Sequence, residues 1–483
     1  MLENGLDRKD TISSFLRRVT YSSPEFLQKA HKFAFGAYPY PERYGEVFRK
    51  QYSFLRESQW WDEKRLSKYQ LAQLRTLIRH AYANVPYYKQ LLDASKMTPD
   101  AIRDVEDLRL LPCLTKEDVR HNFQSMLARN VATSSLSLMW TGGTSEPPLR
   151  FYADESVFNP SELAFIVSLW NRVGYRFEDK CAMVRGNVPR NSIIAYDYPD
   201  RQLRLSSLAM SSENMQMYIA IIREFQPKFI YGVPSSLSLL ARLMKERGIP
   251  PFPTVRALLV CSETIYGFQR RLLEEVFNCR VFSWYGHNER TVLGGECEYN
   301  NAYHLFPEYG VTELLGRDGE PITQEGESGE IVGTGFLNWA MPFIRYRTGD
   351  IGTYTSERCR CGRNYHLLKA VQGREQEYVV TNEGSLIPFS SLAAAYEFDV
   401  GWTNKMIEQI QFLQDKKGEI VIRVVKNPHH YDSEVTKYLL DWSQTRFGKS
   451  FTGSVNIVKE IPRTAAGKYR YFIQNLPIHL SEG

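Results

Sequence analysis

Between residues 228 and 284 short apolar runs alternate with amphipathic stretches, and no other feature of the chain restricts its fold as much. Lys228–Tyr231 reads as a strand, Ser235–Glu246 as a helix with Gly248 just past its end, Arg256–Cys261 as a strand, Gly267–Phe277 as a helix and Arg280–Trp284 as a strand. Repeated strand-helix-strand units predict a parallel, doubly wound sheet, whose ligands bind beyond the carboxyl ends of its strands. The segment Tyr285-Gly286-His287-Asn288-Glu289 follows directly on the last of these strands, so function is expected there.

The flanking regions differ. Up to about residue 130 the chain reads as helices, with Leu71, Leu74, Leu77, Ile78 and Ala81 on one face of Gln70–Ala83 and Pro86 beyond it. After Gly373-Arg374 the pattern turns to an alternating Glu419–Val425, an amphipathic Ser433–Phe447 and a short Ser454–Val458, which is a small α+β unit. The expected class is therefore α/β: a large core over 1–372, with a helical N-terminal region over 1–130, and a small C-terminal domain over 373–483. With no Pro-rich or Ser-rich linker, the junction must be a short hinge.

Composition excludes several classes. A 43% hydrophobic chain of 483 residues can bury a large core. A net charge of only +5, with 13 basic against 13 acidic residues over 373–483, gives no footprint for nucleic acid. No apolar run approaches the ~20 residues of a membrane span, and Met1-Leu2-Glu3-Asn4 does not open a signal peptide. Seven cysteines in so long a chain do not suggest a disulfide framework, and a cytoplasmic location is expected.

Four segments have the residue types of nucleotide chemistry. Trp140-Thr141-Gly142-Gly143-Thr144-Ser145-Glu146 offers close backbone approach and hydroxyl donors to phosphate, but has no Walker lysine, which disfavours a kinase or P-loop ATPase; alone it reads equally as a turn. In Tyr285-Gly286-His287-Asn288-Glu289 an aromatic face suits a purine and a carboxylate suits Mg²⁺. Around Arg345-Tyr346-Arg347-Thr348-Gly349-Asp350 and Gln372-Gly373-Arg374, one Asp can hold both ribose hydroxyls, although a surface hairpin with an Asp-Arg pair fits as well. Pro462-Arg463-Thr464-Ala465-Ala466-Gly467-Lys468 places a lysine on a glycine-containing loop, where it either enters a cleft or is merely solvated. A fifth group, Cys297 with His304, Cys359 and Cys361, suits a closed tetrahedral zinc site, although the Cys-x-Cys spacing is tighter than usual and reduced thiols are the plain alternative.

In this order and separation the four segments resemble the adenylate-forming superfamily of acyl-CoA synthetases, nonribosomal adenylation domains and luciferases. Within it the chain looks most like the phenylacetate-CoA ligase branch and its CapK-type relatives, found in bacterial polysaccharide gene clusters. Val85-Pro86-Tyr87-Tyr88, Leu111-Pro112 with Leu114-Thr115-Lys116, and Ser328-Gly329-Glu330-Ile331-Val332 extend the likeness over nearly the whole chain from about Gln59. The resemblance implies ATP-dependent activation of a small carboxylic acid to an acyl-adenylate, then transfer to the thiol of coenzyme A or to an amine. Thr141, Gly142, Gly143, Thr144 and Ser145 would cover the phosphates. Tyr285 would stack on adenine beside Gly286 and Asn288, Ser262 and Glu263 would border the adenine and acid pockets, Asp350 would bind the ribose and Arg374 would support it. Glu289 would hold Mg²⁺, and Lys468, on a mobile C-terminal lid, would bridge carboxylate and α-phosphate. CapK-type relatives often show a similar Cys/His set, which favours Zn²⁺. Two departures stand out: Glu146 replaces a usual glycine beside the triphosphate, which favours a non-catalytic nucleotide binder as the alternative, and the hinge acid appears as Gln376 after Glu375.

Overall fold

The computed structural model describes residues 44–141, 149–186, 188, 192–197, 200–374, 378–384, 386–389, 406–428, 430–447, 451–462 and 470–476. Helices α1 (Gly45–Ser58), α2 (Glu63–Asn84), α3 (Pro86–Ala94) and α4 (Lys116–His121) precede the first strand. Asp62 caps α2 by accepting from the Arg65 N–H at 2.7 Å, and the helix stops at Val85 because the following Pro86 disfavours a helical residue before it, while starting α3 itself. The buried stripe of α2, with Leu74, Leu77, Ile78 and Ala81, packs with Phe151, Phe343 and Tyr346 in one core.

Strands β1 (Leu136–Trp140) and β2 (Arg150–Asp154) form a hairpin around residues 142–148, and α5 (Glu155–Asn171) follows. Next come β3 (Cys181–Val184), β4 (Ile194–Asp197), β5 (Gln202–Leu205), α6 (Ser212–Phe225), β6 (Phe229–Gly232), α7 (Pro234–Glu246), β7 (Ala257–Val260), α8 (Gly267–Phe277) and β8 (Arg280–Gly286). The expected alternation is found within a residue or two of its expected bounds. Strands β5, β3, β6, β7 and β8 are parallel neighbours, and α6, α7 and α8 cover one face through Leu237, Leu240, Met244 and Leu273.

The sheet does not stay parallel. Strands β9 (Leu293–Gly295), β10 (Tyr303–Leu305), β11 (Gly310–Leu315), β12 (Ser328–Gly335), β13 (Tyr346–Thr355) and β14 (Leu367–Arg374) extend it to twelve strands in the order β11-β12-β13-β14-β10-β9-β8-β7-β6-β3-β5-β4. Their pairings are antiparallel, because no helix intervenes to carry the chain back. The parallel, doubly wound part is thus continued by an antiparallel part into one mixed sheet. On β12, next to the edge strand β11, a Cβ on Gly333 would stand 2.2 Å from Thr291 Oγ1, so a larger residue would displace that side chain.

A hairpin of β15 (Tyr378–Val380) and β16 (Leu386–Pro388) leads to a separate four-stranded sheet of β17 (Ile407–Gln414), β18 (Glu419–Lys426), β19 (Thr452–Ile457) and β20 (Phe472–Gln474), with α9 (Ser433–Phe447) packed on it through Val435, Leu439 and Trp442. Tyr266 and Phe268, at the start of α8, meet Tyr471 of this unit at ring-centroid distances of 6.0 and 5.7 Å.

Candidate active site

The nucleotide residues named from the sequence lie on three neighbouring parts of the large sheet. Tyr285 stands near the end of β8, and its hydroxyl donates to Asp350 Oδ2 at 2.8 Å. Asp350 is aimed from β13 at a register irregularity of the strand, where Gly349 adopts φ +74°, a conformation that glycine takes without strain. Burial, then the adjacent Asp350 carboxylate, pushes the Tyr285 phenol well above its ordinary range, so it remains a donor. Arg374 on β14 is the register partner of Asp350.

Glu289 is buried three residues beyond β8. Tyr346 donates its hydroxyl to Oε1 at 2.7 Å, and His287 Nδ1 lies 3.1 Å from Oε2. Burial alone would raise its pKa, but the hydrogen bond and charge of His287, with the Tyr346 hydroxyl, hold it at about 2. An anionic carboxylate with a spare lone pair on each oxygen suits a hard cation such as Mg²⁺. His287 is itself held from its other nitrogen by Thr291 Oγ1 at 3.1 Å. The holding role of His287 and Tyr346 has no signal in their motifs, because it appears only when β8 and β13 are brought together.

Two of the named residues hold the scaffold. Asn288 donates to the Trp140 carbonyl at 2.9 Å and so ties the loop after β8 to the mouth of the 142–148 segment. Thr141 closes the neck of that segment: its N–H donates to the Leu149 carbonyl at 2.9 Å, and its Oγ1 accepts from the Leu149 N–H at 2.8 Å. Gly286 lies in β8, where a Cβ would approach Leu293 Cδ1 to 3.0 Å. The Glu263 carboxylate accepts from Ser235 N–H and Oγ, both at 3.0 Å, and so caps α7, whereas Ser262 turns the chain after β7 with φ +70°. Gly142, Gly143, Thr144, Ser145, Glu146, Glu375, Gln376 and Lys468, with the side chain of Arg374, lie outside the described residues.

Elsewhere on the sheet, the ligand atoms of Cys297, His304, Cys359 and Cys361 all lie within 4.8 Å of one another. Cys297 and Cys359 sulfurs are 3.5 Å apart, near the ~3.8 Å edge that Zn–S bonds of about 2.3 Å give in a tetrahedron. His304 turns Nε2 to Cys361 at 3.3 Å while Nδ1 meets the Ala302 carbonyl at 3.2 Å, the outer hydrogen bond that usually orients a metal-bound imidazole. The chemistry and spacing of these donors fit zinc.

With the geometry described, comparison with known proteins gives one consistent picture. A family profile described as the CapK C-terminal domain matches residues 379–475. Protein CapK of Staphylococcus aureus is 25% identical over 81% of this chain and 86% of its own length. The phenylacetate-coenzyme A ligase of Escherichia coli K12 is 25% identical over 69% and 79%, respectively. Among solved structures, 2-hydroxyisobutyryl-CoA ligase in its postadenylation state, in complex with 2-HIB-AMP, superimposes with a TM-score of 0.69 at 18% identity, covering 91% of this chain and 94% of that one. The fold is that of the adenylate-forming ligases. The chain is a homologue of CapK and of the phenylacetate-CoA ligases. Among the described residues no helix is long and apolar enough to cross a membrane.

Proposed function

We propose that this protein is an adenylate-forming ligase: it activates a carboxylic acid with ATP and passes the acyl group to the thiol of coenzyme A or to an amine. The observation that carries this reading is the contact of Tyr285 with Asp350 beside the Glu289 carboxylate, all reached by the loop that Asn288 ties to the neck of the 142–148 segment. Together these residues offer an aromatic face, an acceptor suited to ribose hydroxyls and a carboxylate suited to a metal. In the reaction the acid carboxylate attacks the α-phosphorus of ATP, the α–β bridging P–O bond breaks and pyrophosphate leaves. The acceptor then attacks the acyl carbonyl and AMP departs. The protein's contribution is to position the reactants and to neutralise charge. Glu289 would hold Mg²⁺, which supplies positive charge to the phosphates. Lys468 would donate to the carboxylate and α-phosphate, and the domain over 373–483 would then turn about residues 373–377 to admit the acceptor. The Cys297, His304, Cys359 and Cys361 set would hold a structural zinc ion.

Glu146, a carboxylate in the phosphate segment, favours the second reading of a nucleotide-binding protein without catalysis. Pyrophosphate release measured with a panel of carboxylic acids separates the two: the ligase releases it only when its acid is present, whereas a binder takes up ATP and releases none with any acid. Asp350→Ala is expected to weaken ATP binding about tenfold to a hundredfold, since it removes a carboxyl group that would accept two hydrogen bonds. Equilibrium titration checks this, and unaltered affinity would take Asp350 out of the ribose site.

A further inference from the structure

Beside the nucleotide cleft, the carboxyl ends of the parallel strands assemble a second polar cluster. Val184, Gly232, Val260 and Ser283 stand in register across β3, β6, β7 and β8. The residues that follow, Arg185, Cys261 and Trp284, therefore form the next row, on the same face as Met183 and Tyr231 two residues apart. This face packs against α5, from which the Trp170 ring lies 5.3 Å from that of Tyr231. Trp284 immediately precedes Tyr285 in the chain, so the row adjoins the nucleotide residues.

Arg185 lies over the Tyr231 ring at 4.9 Å and donates to the Tyr231 hydroxyl. Its Nη1 is 3.9 Å from Cys261 Sγ, and its Nη2 is 3.4 Å from Ser262 Oγ. Among the described residues no carboxylate forms an ion pair with it, and Glu263, the acidic residue next to Ser262, is engaged in capping α7. The indole N–H groups of Trp170 and Trp284 are buried and have no hydrogen-bond partner among the described residues. A guanidinium keeps its charge, and although the Glu263 carboxylate acts on Arg185 through space, its direct contacts among the described residues are neutral hydroxyl, thiol and ring groups, so a ligand with anionic acceptors is stabilised there. The walls are aromatic and their polar atoms are mostly donors, which is complementary to an acid with an apolar body and an anionic end.

Building on the adenylate-forming reading, we infer that Arg185 selects the substrate: the acid carries a second anionic group, which accepts hydrogen bonds from the Arg185 guanidinium while its reacting carboxylate faces the nucleotide. The test uses acyl sulfamoyl adenosines, unreactive counterparts of acyl-adenylates, in pairs of one carbon skeleton: butanoyl with succinyl, and phenylacetyl with 4-carboxyphenylacetyl. Calorimetry on the full-length protein should find the member with the extra carboxylate bound about 30-fold more tightly in at least one pair, equivalent to about 2 kcal/mol. Arg185→Gln should abolish the difference, and Arg185→Lys should restore part of it, which a merely structural role would not do. Equal affinities within both pairs, binding of neither pair, or a loss in Arg185→Gln that falls alike on both members overturns the assignment. Equal affinities in a protein that still releases pyrophosphate with a monocarboxylic acid overturn the Arg185 assignment alone and leave the ligase reading standing.

Discussion

Lys468→Ala is expected to lower acid-dependent pyrophosphate release about 100- to 1,000-fold, the usual cost of losing one donor aimed at charge that develops in a transition state. ATP binding should persist, because Tyr285, Asp350 and Glu289 stand on the large sheet and do not depend on that lysine. The two readouts must therefore separate: a fall in rate without a fall in affinity marks a group acting in the transition state, whereas parallel losses mark a ground-state contact. Pyrophosphate release at the unaltered rate would remove Lys468 from the reaction and, with it, the role assigned to the C-terminal domain.

The second large effect is structural. Cys361→Ser is expected to remove the zinc and to destabilise the protein by about 4 kcal/mol or more, the range reached when a metal ligand is lost. The four ligands join Cys297, between β9 and β10, and His304, on β10, to the 359–361 turn between β13 and β14, so a bound metal would fasten the antiparallel half of the sheet at one end. Arg363 beside Cys361 supplies positive charge to a site whose three thiolates would leave it one unit negative with zinc bound. Metal analysis should find about one zinc per chain in the parent protein, and thermal unfolding should show the lower midpoint in the variant. A metal-free parent of undiminished stability would discard the site.

The sequence disclosed most where structure is local. Periodicity located α7, α8 and α9 and strands β6, β7, β8, β18 and β19, because each buries a stripe or face that the residue pattern itself defines. The same reading missed β9 to β14: β9 (Leu293-Gly294-Gly295) and β10 are three residues each and too short to show a period, and the longer β12, β13 and β14 owe their place to antiparallel pairing with neighbouring strands. The site divides in the same way. Tyr285, Glu289 and Asp350 were legible as motifs, since nucleotide chemistry calls for an aromatic face and carboxylates. The tasks of Asn288 and Glu263 were not, because a side chain that ties Trp140 or caps α7 has the same composition as one that contacts a ligand. Arg185 had no local signal at all. Its meaning comes from a register that brings Arg185, Cys261 and Trp284 into one row from strands widely separated in the chain.

The most direct test of the whole account is a crystal structure of the protein grown with AMP and its acid. The adenine is expected on the Tyr285 ring and the ribose hydroxyls on Asp350, with the phosphate directed toward Glu289 and residues 142–148. A nucleotide bound elsewhere, with Tyr285 and Asp350 still joined only to each other, would contradict it.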